Sequence, residues 1–381
     1  MTASDAPAVE RAHVTPRGLA LDPVGALCAA LLLLTIANLI RIPAIATDDR
    51  TAPILFNDLC VGMALAVGGV WVLRRRTLRL DPVILAAALF ASIGLWSAVA
   101  GVPRFALTGF ELLVSLAYLA RWIFYFAIYV LVVNCIRRTD APRVWRALES
   151  AVLVFAAFGI VQAIFLPGFA QIVYPESRLY SDWDPQGHRL VSTVLEPNIA
   201  AAMILTVLLV QLGLLAAGAT VARWKPLLLL VALIATLSRS GILGLLMGGA
   251  LILVWLGARK QLLRFGLLVA LVAAAVSPQL VQLASQYSRF SVSDPSTLGR
   301  LVSWGRAINT FLEHPWFGIG FNTYGFVQER MGYERMGGAS YSVEGGLLFA
   351  AVMTGIIGLL VFGTMLWLAV RRCAAVRRSP D

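Results

Sequence analysis

Long apolar runs separated by short polar stretches dominate the chain. A helix needs about 20 residues to cross a hydrocarbon core of about 30 Å. Runs of that order lie at 24–40, 54–73, 82–102, 110–134, 148–166, 197–217, 262–279 and 343–370. The stretch 225–257 is also apolar but carries Ser238-Arg239-Ser240 at its middle. As one helix at 1.5 Å per residue it would be roughly 50 Å long. The pattern therefore predicts two shorter helices, 225–238 and 240–257, meeting at Arg239. The fold class that follows is all-α: a polytopic membrane protein of about ten transmembrane helices.

Two polar segments, 167–196 and 280–342, are too long to be plain connections, and loops beyond about 12–15 residues are usually functional or disordered. In the second, Asp294-Pro295 reads as an N-cap followed by proline at the first helical position. Leu298, Leu301, Val302, Ile308, Phe311 and Leu312 then recur with a helical period before His314-Pro315 and Gly318-Ile319-Gly320 end it. This predicts an amphipathic helix over the membrane surface or a cavity. The expected organisation is an N-terminal segment 1–23, a transmembrane domain 24–370 with a large outer loop at 280–342 between spans nine and ten, and a basic tail 371–381.

Charge sets the orientation. The chain has 31 Lys+Arg against 20 Asp+Glu, a net +11, with 59% hydrophobic and only 13% charged residues. That balance excludes a soluble domain and a disordered chain. Cytoplasmic loops of membrane proteins carry an excess of Lys and Arg. With ten spans and the N-terminus inside, Arg74-Arg75-Arg76, Arg137-Arg138, Arg223…Lys225, Arg259-Lys260 and Arg371-Arg372…Arg377-Arg378 all fall on the cytoplasmic side. That side then holds 19 Lys/Arg and 7 Asp/Glu, while the outer side holds 10 Arg and 13 Asp/Glu. The net charge is thus a topology signal, and nucleic-acid binding is not expected. Ala44-Ile45-Ala46 resembles a signal-peptidase site, but the preceding run is long and ends in Asn38 and Arg41, so an uncleaved first span is expected. Cys28, Cys60, Cys135 and Cys373 suggest neither a disulfide nor a metal site.

Positive-inside bias leaves several residues unexplained. Arg239 sits in the break between two half-length helices, and charge at membrane depth usually faces a wet cavity or a partner. Arg121 is also intramembrane, near Trp122, Tyr125 and Tyr129; it fits either a ligand contact or a structural arginine bonded between helices. Arg189 precedes Glu196-Pro197-Asn198, Arg300 lies one turn before Trp304, and Glu344 stands at the outer end of the last span. Each of these also has an ordinary reading as a helix start, a solvated charge or a carboxylate near a helix N-terminus.

Taken in order, Arg189-Leu-Val-Ser-Thr-Val-Leu-Glu196-Pro197-Asn198-Ile-Ala200, Leu237-Ser238-Arg239-Ser240-Gly241 and Gly299-Arg300-Leu-Val-Ser-Trp304…His314-Pro315-Trp-Phe-Gly318-Ile-Gly320 resemble the O-antigen ligase and polymerase family. These are integral-membrane glycosyltransferases of the bacterial cell envelope, and the resemblance covers roughly 185–360. It implies a GT-C-like architecture in the inner membrane, with both termini cytoplasmic and the active site facing the periplasm. The implied donor is a polyprenyl diphosphate-linked glycan and the implied acceptor another glycan or lipid A core; membrane lipid is the remaining partner, and neither cofactor nor metal is implied. Ligases of the family carry a histidine at the start of the span after the large loop. Counting back from Gly355 in Met353-Thr354-Gly355-Ile-Ile-Gly358 places that position at Glu344, which favours the polymerase branch.

The leaving diphosphate needs positioned cations, and arginine binds phosphate bidentately without losing its charge. The resemblance and this chemistry together assign Arg239 and Arg300 to the catalytic set with Glu344 as base. Arg189, Glu196, Asn198, Trp304 and Arg121 are assigned to substrate binding. Glu196, His188 and His314 compete for the role of base, His314 also suiting a structural turn. Two other functions fit a ten-span protein: a ligase acting on lipid A core, and a flippase, since broken helices and midplane charges occur in transporters too.

Overall fold

The computed structural model describes residues 22–36, 39–46, 51–75, 78–173, 188–257, 260, 295–333, 343 and 345–378. The termini and the predicted span at 262–279 lie outside the described residues. Among the described residues six helices are long and apolar enough to cross a membrane: α2 (Phe56–Arg75), α3 (Pro82–Arg104), α4 (Gly109–Cys135), α5 (Ala141–Phe165), α7 (Pro197–Ala216) and α12 (Gly346–Arg378). Three shorter apolar helices join them: α1 (Pro23–Leu33), α8 (Trp224–Ala235) and α9 (Arg239–Trp255). The short helix α6 (Phe169–Val173) follows α5, while α10 (Pro295–Glu313) and α11 (Tyr324–Arg330) precede α12. The chain is thus a polytopic, essentially all-helical membrane protein.

Helix starts follow local chemistry. Asp22, Asp81, Glu196 and Ser238 each accept a hydrogen bond from a backbone N–H in the first turn of α1, α3, α7 and α9. Proline fills the first helical position in α1, α3 and α7, where its missing N–H costs nothing. Thr108 and Glu111 form a reciprocal capping box at the start of α4.

The apolar run 24–40 departs from its pattern. Its helix ends at Leu33, and 11 residues span only about 17 Å. The chain then turns into an antiparallel hairpin, β1 (Arg41–Ala46) with β2 (Thr51–Leu55), in which Pro43 lies opposite Pro53. Proline is excluded from a helix interior but tolerated in an edge strand. Apolarity alone cannot separate the two outcomes.

Helices α2, α3, α4 and α5 alternate in direction, which gathers their basic clusters at one end of the bundle. Arg372 at the foot of α12 pairs with Asp81 at the start of α3. Asn134 near the end of α4 receives the backbone N–H of Arg79. Arg143 in α5 pairs with Asp22 ahead of α1, and Lys225 in α8 meets Glu149 of α5 at 2.6 Å.

The main core lies where α5, α7 and α8 meet, around Phe155, Ile204, Leu208, Leu229 and Leu233. Helix α9 lies against α7 along Gly241, Gly244 and Gly248. A side chain at Gly241 would stand 2.8 Å from Cβ of Ala201, and one at Gly244 would stand 2.6 Å from Leu205. Small residues permit this close approach. A second core joins α10, α11 and α12 to the α3–α4 connection through Leu107, Ile319, Tyr324, Val327 and Met353.

Candidate functional site

The break expected at Ser238-Arg239-Ser240 is present. Helix α8 ends at Ala235, Leu237 takes a left-handed φ of 51°, and α9 starts at Arg239. With 12 residues, α8 covers only about 18 Å, well short of a membrane crossing. Arg239 occupies the first turn of α9 and is exposed. The first N–H groups of a helix have no partner within it and carry its positive dipole end.

The segment 189–195 threads beside this break. Leu190 N–H donates to the Ala235 carbonyl at 2.9 Å, and Ser192 Oγ donates to the Phe155 carbonyl at 2.8 Å. Gln162, fully buried in α5, accepts from the backbone N–H of Val191 and Ser192 at 3.0 and 3.1 Å and donates to the Arg189 carbonyl at 3.3 Å. The guanidinium of Arg189 donates to the carbonyls of Thr236 at 3.0 Å and Leu237 at 3.4 Å. A cation thereby meets the negative, carbonyl-bearing end of α8.

A polar chain ties the starts of α7 and α9 together. Glu196 accepts from the Ile199 N–H at 2.5 Å and from the Asn198 amide at 2.9 Å. Asn198 Oδ1 in turn accepts from Ser238 Oγ at 2.8 Å. The single Ser238 proton is committed there, so at 3.0 Å the Ser240 hydroxyl is the donor to Ser238. Arg189, Glu196 and Asn198 are thus joined through Thr236 and Ser238, and Arg239 follows Ser238 in the chain, on two helix starts and one helix end. Their chemistry suits an anion: arginine cations and an N-terminal helix turn that carries positive charge.

The other predicted residues fall elsewhere. Arg121 lies roughly 18 Å along α4 from Gly109 and pairs with Asp58 at 3.0 Å, which also accepts from Tyr125 at 2.9 Å and from the Leu55 N–H at 2.9 Å. The ion pair links α2 to α4 and leaves Arg121 electrostatically matched. Arg300 lies in the helical backbone of α10, with its side chain outside the described residues, and Trp304 on the same helix is exposed. Glu344 lies outside the described residues. His188 is exposed beside Arg189. His314 packs edge-on against Phe105, ring centroids 5.0 Å apart, and burial, with Arg104 nearby, holds its pKa below 6.5.

Beyond α10 the chain dips into the bundle. The backbone N–H groups of Ile319 and Gly320 donate to the carbonyls of Val352 and Met353 at 3.0 and 3.1 Å, and Ile356 N–H donates to the Pro315 carbonyl at 2.7 Å. These contacts replace helical bonds in α12, which breaks at Gly355 with φ 68° and ψ −170°. Ser97 of α3 stands 2.5 and 2.8 Å from the Phe317 and Met353 carbonyls, and Ser115 of α4 donates to the Phe321 carbonyl at 2.6 Å. Non-helical backbone at membrane depth needs such internal partners.

Sequence reasoning missed Gln162, Ser97 and the break at Gly355. For Gln162 a signal existed, a polar amide in an otherwise apolar span. A single serine or glycine carries no comparable signal.

Residues 227–363 match the family model described as O-antigen ligase. The match runs from α8 into α12 and bears out the resemblance drawn from Leu237–Gly241 and Gly299–Gly320. Arg189 and Asn198 lie ahead of the matched stretch yet bond directly into it, and Glu196 joins it through Asn198. No curated protein matches the chain.

Proposed function

With an O-antigen ligase region as the premise, we propose that this protein moves a glycan from a polyprenyl diphosphate carrier to a sugar hydroxyl on the outer face of the inner membrane. It acts as an O-antigen or exopolysaccharide polymerase and needs no metal. The observation that carries this reading is the helix break at 236–238, where Arg189 bridges the end of α8 and Arg239 opens α9. A diphosphate there meets arginine cations and a helix N-terminus.

In the reaction the acceptor oxygen attacks the anomeric carbon of the donor sugar, the bond from that carbon to the diphosphate oxygen breaks, and polyprenyl diphosphate leaves. The hydroxyl proton passes to Glu344 as base. Arg239 and Arg300 stabilise charge gathering on the leaving group, an effect that grows in a site shielded from water. Arg189, Glu196, Asn198 and Trp304 orient the substrates. Arg121, assigned to substrate binding on the resemblance, is instead held by Asp58 between α2 and α4.

Reconstituted protein supplied with a labelled lipid-linked repeat tests this. Chain growth with stoichiometric release of polyprenyl diphosphate is expected, with Arg239→Ala reducing it by about 100-fold or more and Glu344→Gln abolishing it at unchanged protein level. Label crossing the bilayer without release of diphosphate would overturn the proposal in favour of a flippase. Growth only on added lipid A core would replace polymerase by ligase.

A further inference from the structure

Helix α10 presents three faces. Ser303, Ala307 and Thr310 are buried, 6%, 0% and 3% exposed, and pack on the bundle. At 100° per residue, Leu301, Trp304, Ile308 and Leu312 form a second face about 140° away, and all four are exposed. Arg306, Asn309 and Glu313 form the third, a polar face that Val302 shares as its one apolar member. Of the helix-period apolar residues of this segment, Phe311 packs against the second core, while Leu301, Val302, Ile308 and Leu312 do not point into the protein. The helix's protein-facing side is otherwise made of small and hydroxyl side chains.

We propose that α10 is a docking surface for the outer leaflet of the membrane, lying along the boundary between acyl chains and headgroups. Three arcs set roughly a third of a turn apart match three media: protein on one side, hydrocarbon on the second, water on the third. A helix immersed in lipid would place Arg306 and Glu313 in hydrocarbon, and one raised into water would expose four large apolar side chains. Only the boundary satisfies both.

The chain itself places α10 at that height. Its last residue leads straight into the segment held by Ser97 and Ser115, near the outer ends of α3 and α4. Trp316 and Phe317 on that segment are exposed as well. Tryptophan is the side chain enriched at membrane boundaries, where an apolar ring and a polar N–H meet different surroundings. Leaflet contact would hold Arg300 and Trp304 near the depth of a lipid diphosphate. The inference rests on the proposed outer orientation for its side, but not for its contact with lipid.

Spin labels on single cysteines in reconstituted full-length protein test it, on a Cys373→Ser background that removes the exposed native thiol. The two series are Leu301→Cys, Trp304→Cys, Ile308→Cys and Leu312→Cys, and Arg306→Cys, Asn309→Cys and Glu313→Cys. Oxygen, which concentrates in the bilayer, is expected to relax the first series several-fold more than a water-soluble nickel chelate, with the reverse for the second. Exclusion of both reagents from the first series would mean that protein covers the stripe, and would overturn the proposal. Equal access of the nickel chelate to both series would mean water, and would also overturn it. Labelling of Asn309→Cys in intact cells by an impermeant maleimide reports the side separately. Blocked labelling with a lipid-exposed stripe would sink the orientation and leave the leaflet contact standing.

Discussion

Gln162 carries more of the site than any residue named from the sequence. It satisfies two backbone donors and one acceptor of the segment 189–192 inside the bundle. Leaving a buried polar group without a partner costs about 1–3 kcal/mol. Gln162→Leu, which keeps volume, should destabilise the protein by about 2–4 kcal/mol on that basis and lower glycan transfer by displacing Arg189; thermal unfolding in detergent and transfer assays would show it. His314 makes a second, pH-dependent prediction. Its folded pKa lies below 6.5 because of burial and Arg104, with Glu313 pulling the other way. The unfolded chain then binds the proton more readily, so stability falls as pH drops from 6.5 toward the folded pKa and is flat above it. Melting curves at pH 7.5 and 5.5 should differ in that direction, and His314→Gln should shrink the difference.

At the scale of elements, the broken helices decide where polar groups sit. In α12 the break depends on Gly355, whose φ of 68° costs an ordinary L-residue roughly 1–2 kcal/mol. A Cβ there would also run into the Trp316 backbone. Gly355→Ala should therefore destabilise the protein by more than about 2 kcal/mol and release the Pro315–Phe321 segment to hydrogen exchange. In α9, Gly241→Leu would press on Ala201 and part α7 from α9. Overpacking of this kind costs about 1–3 kcal/mol. Because Ser238 and Asn198 bond across the same seam, transfer should fall more than melting temperature does, a comparison one purified variant can supply. The break at 236–238 was legible because Ser-Arg-Ser interrupts apolar residues. The break at Gly355 was not, since Met-Thr-Gly-Ile-Ile reads as continuous apolar helix until another segment supplies the missing hydrogen bonds.

For the whole molecule, the alternation of α2, α3, α4 and α5 and the pairs Arg372–Asp81 and Arg143–Asp22 collect the basic ends on one side, as the charge pattern requires. A C-terminal fluorescent-protein fusion should glow and a C-terminal periplasmic phosphatase fusion should stay inactive, checking that the basic end faces the cytoplasm. Because the proposed anion site is built from arginines and a helix start, glycan transfer should survive chelation by EDTA. Loss of transfer restored by added Mg²⁺ would remove the metal-free part of the proposal.

The sequence by itself determined the class and most of the long helices, because crossing a bilayer demands apolar length, and its charge bias set an expected sidedness. It also located Arg189, Glu196, Asn198 and Arg239. Tertiary structure decided how those four connect, since their bonds pass through Gln162, Ser238 and the end of α8, residues far apart in the chain. It alone showed that the first apolar run stops at Leu33, that α12 is broken, and that the apolar stripe of α10 faces outward. Hydropathy measures how much each residue avoids water; whether protein or lipid provides the shelter depends on which neighbours fold against it.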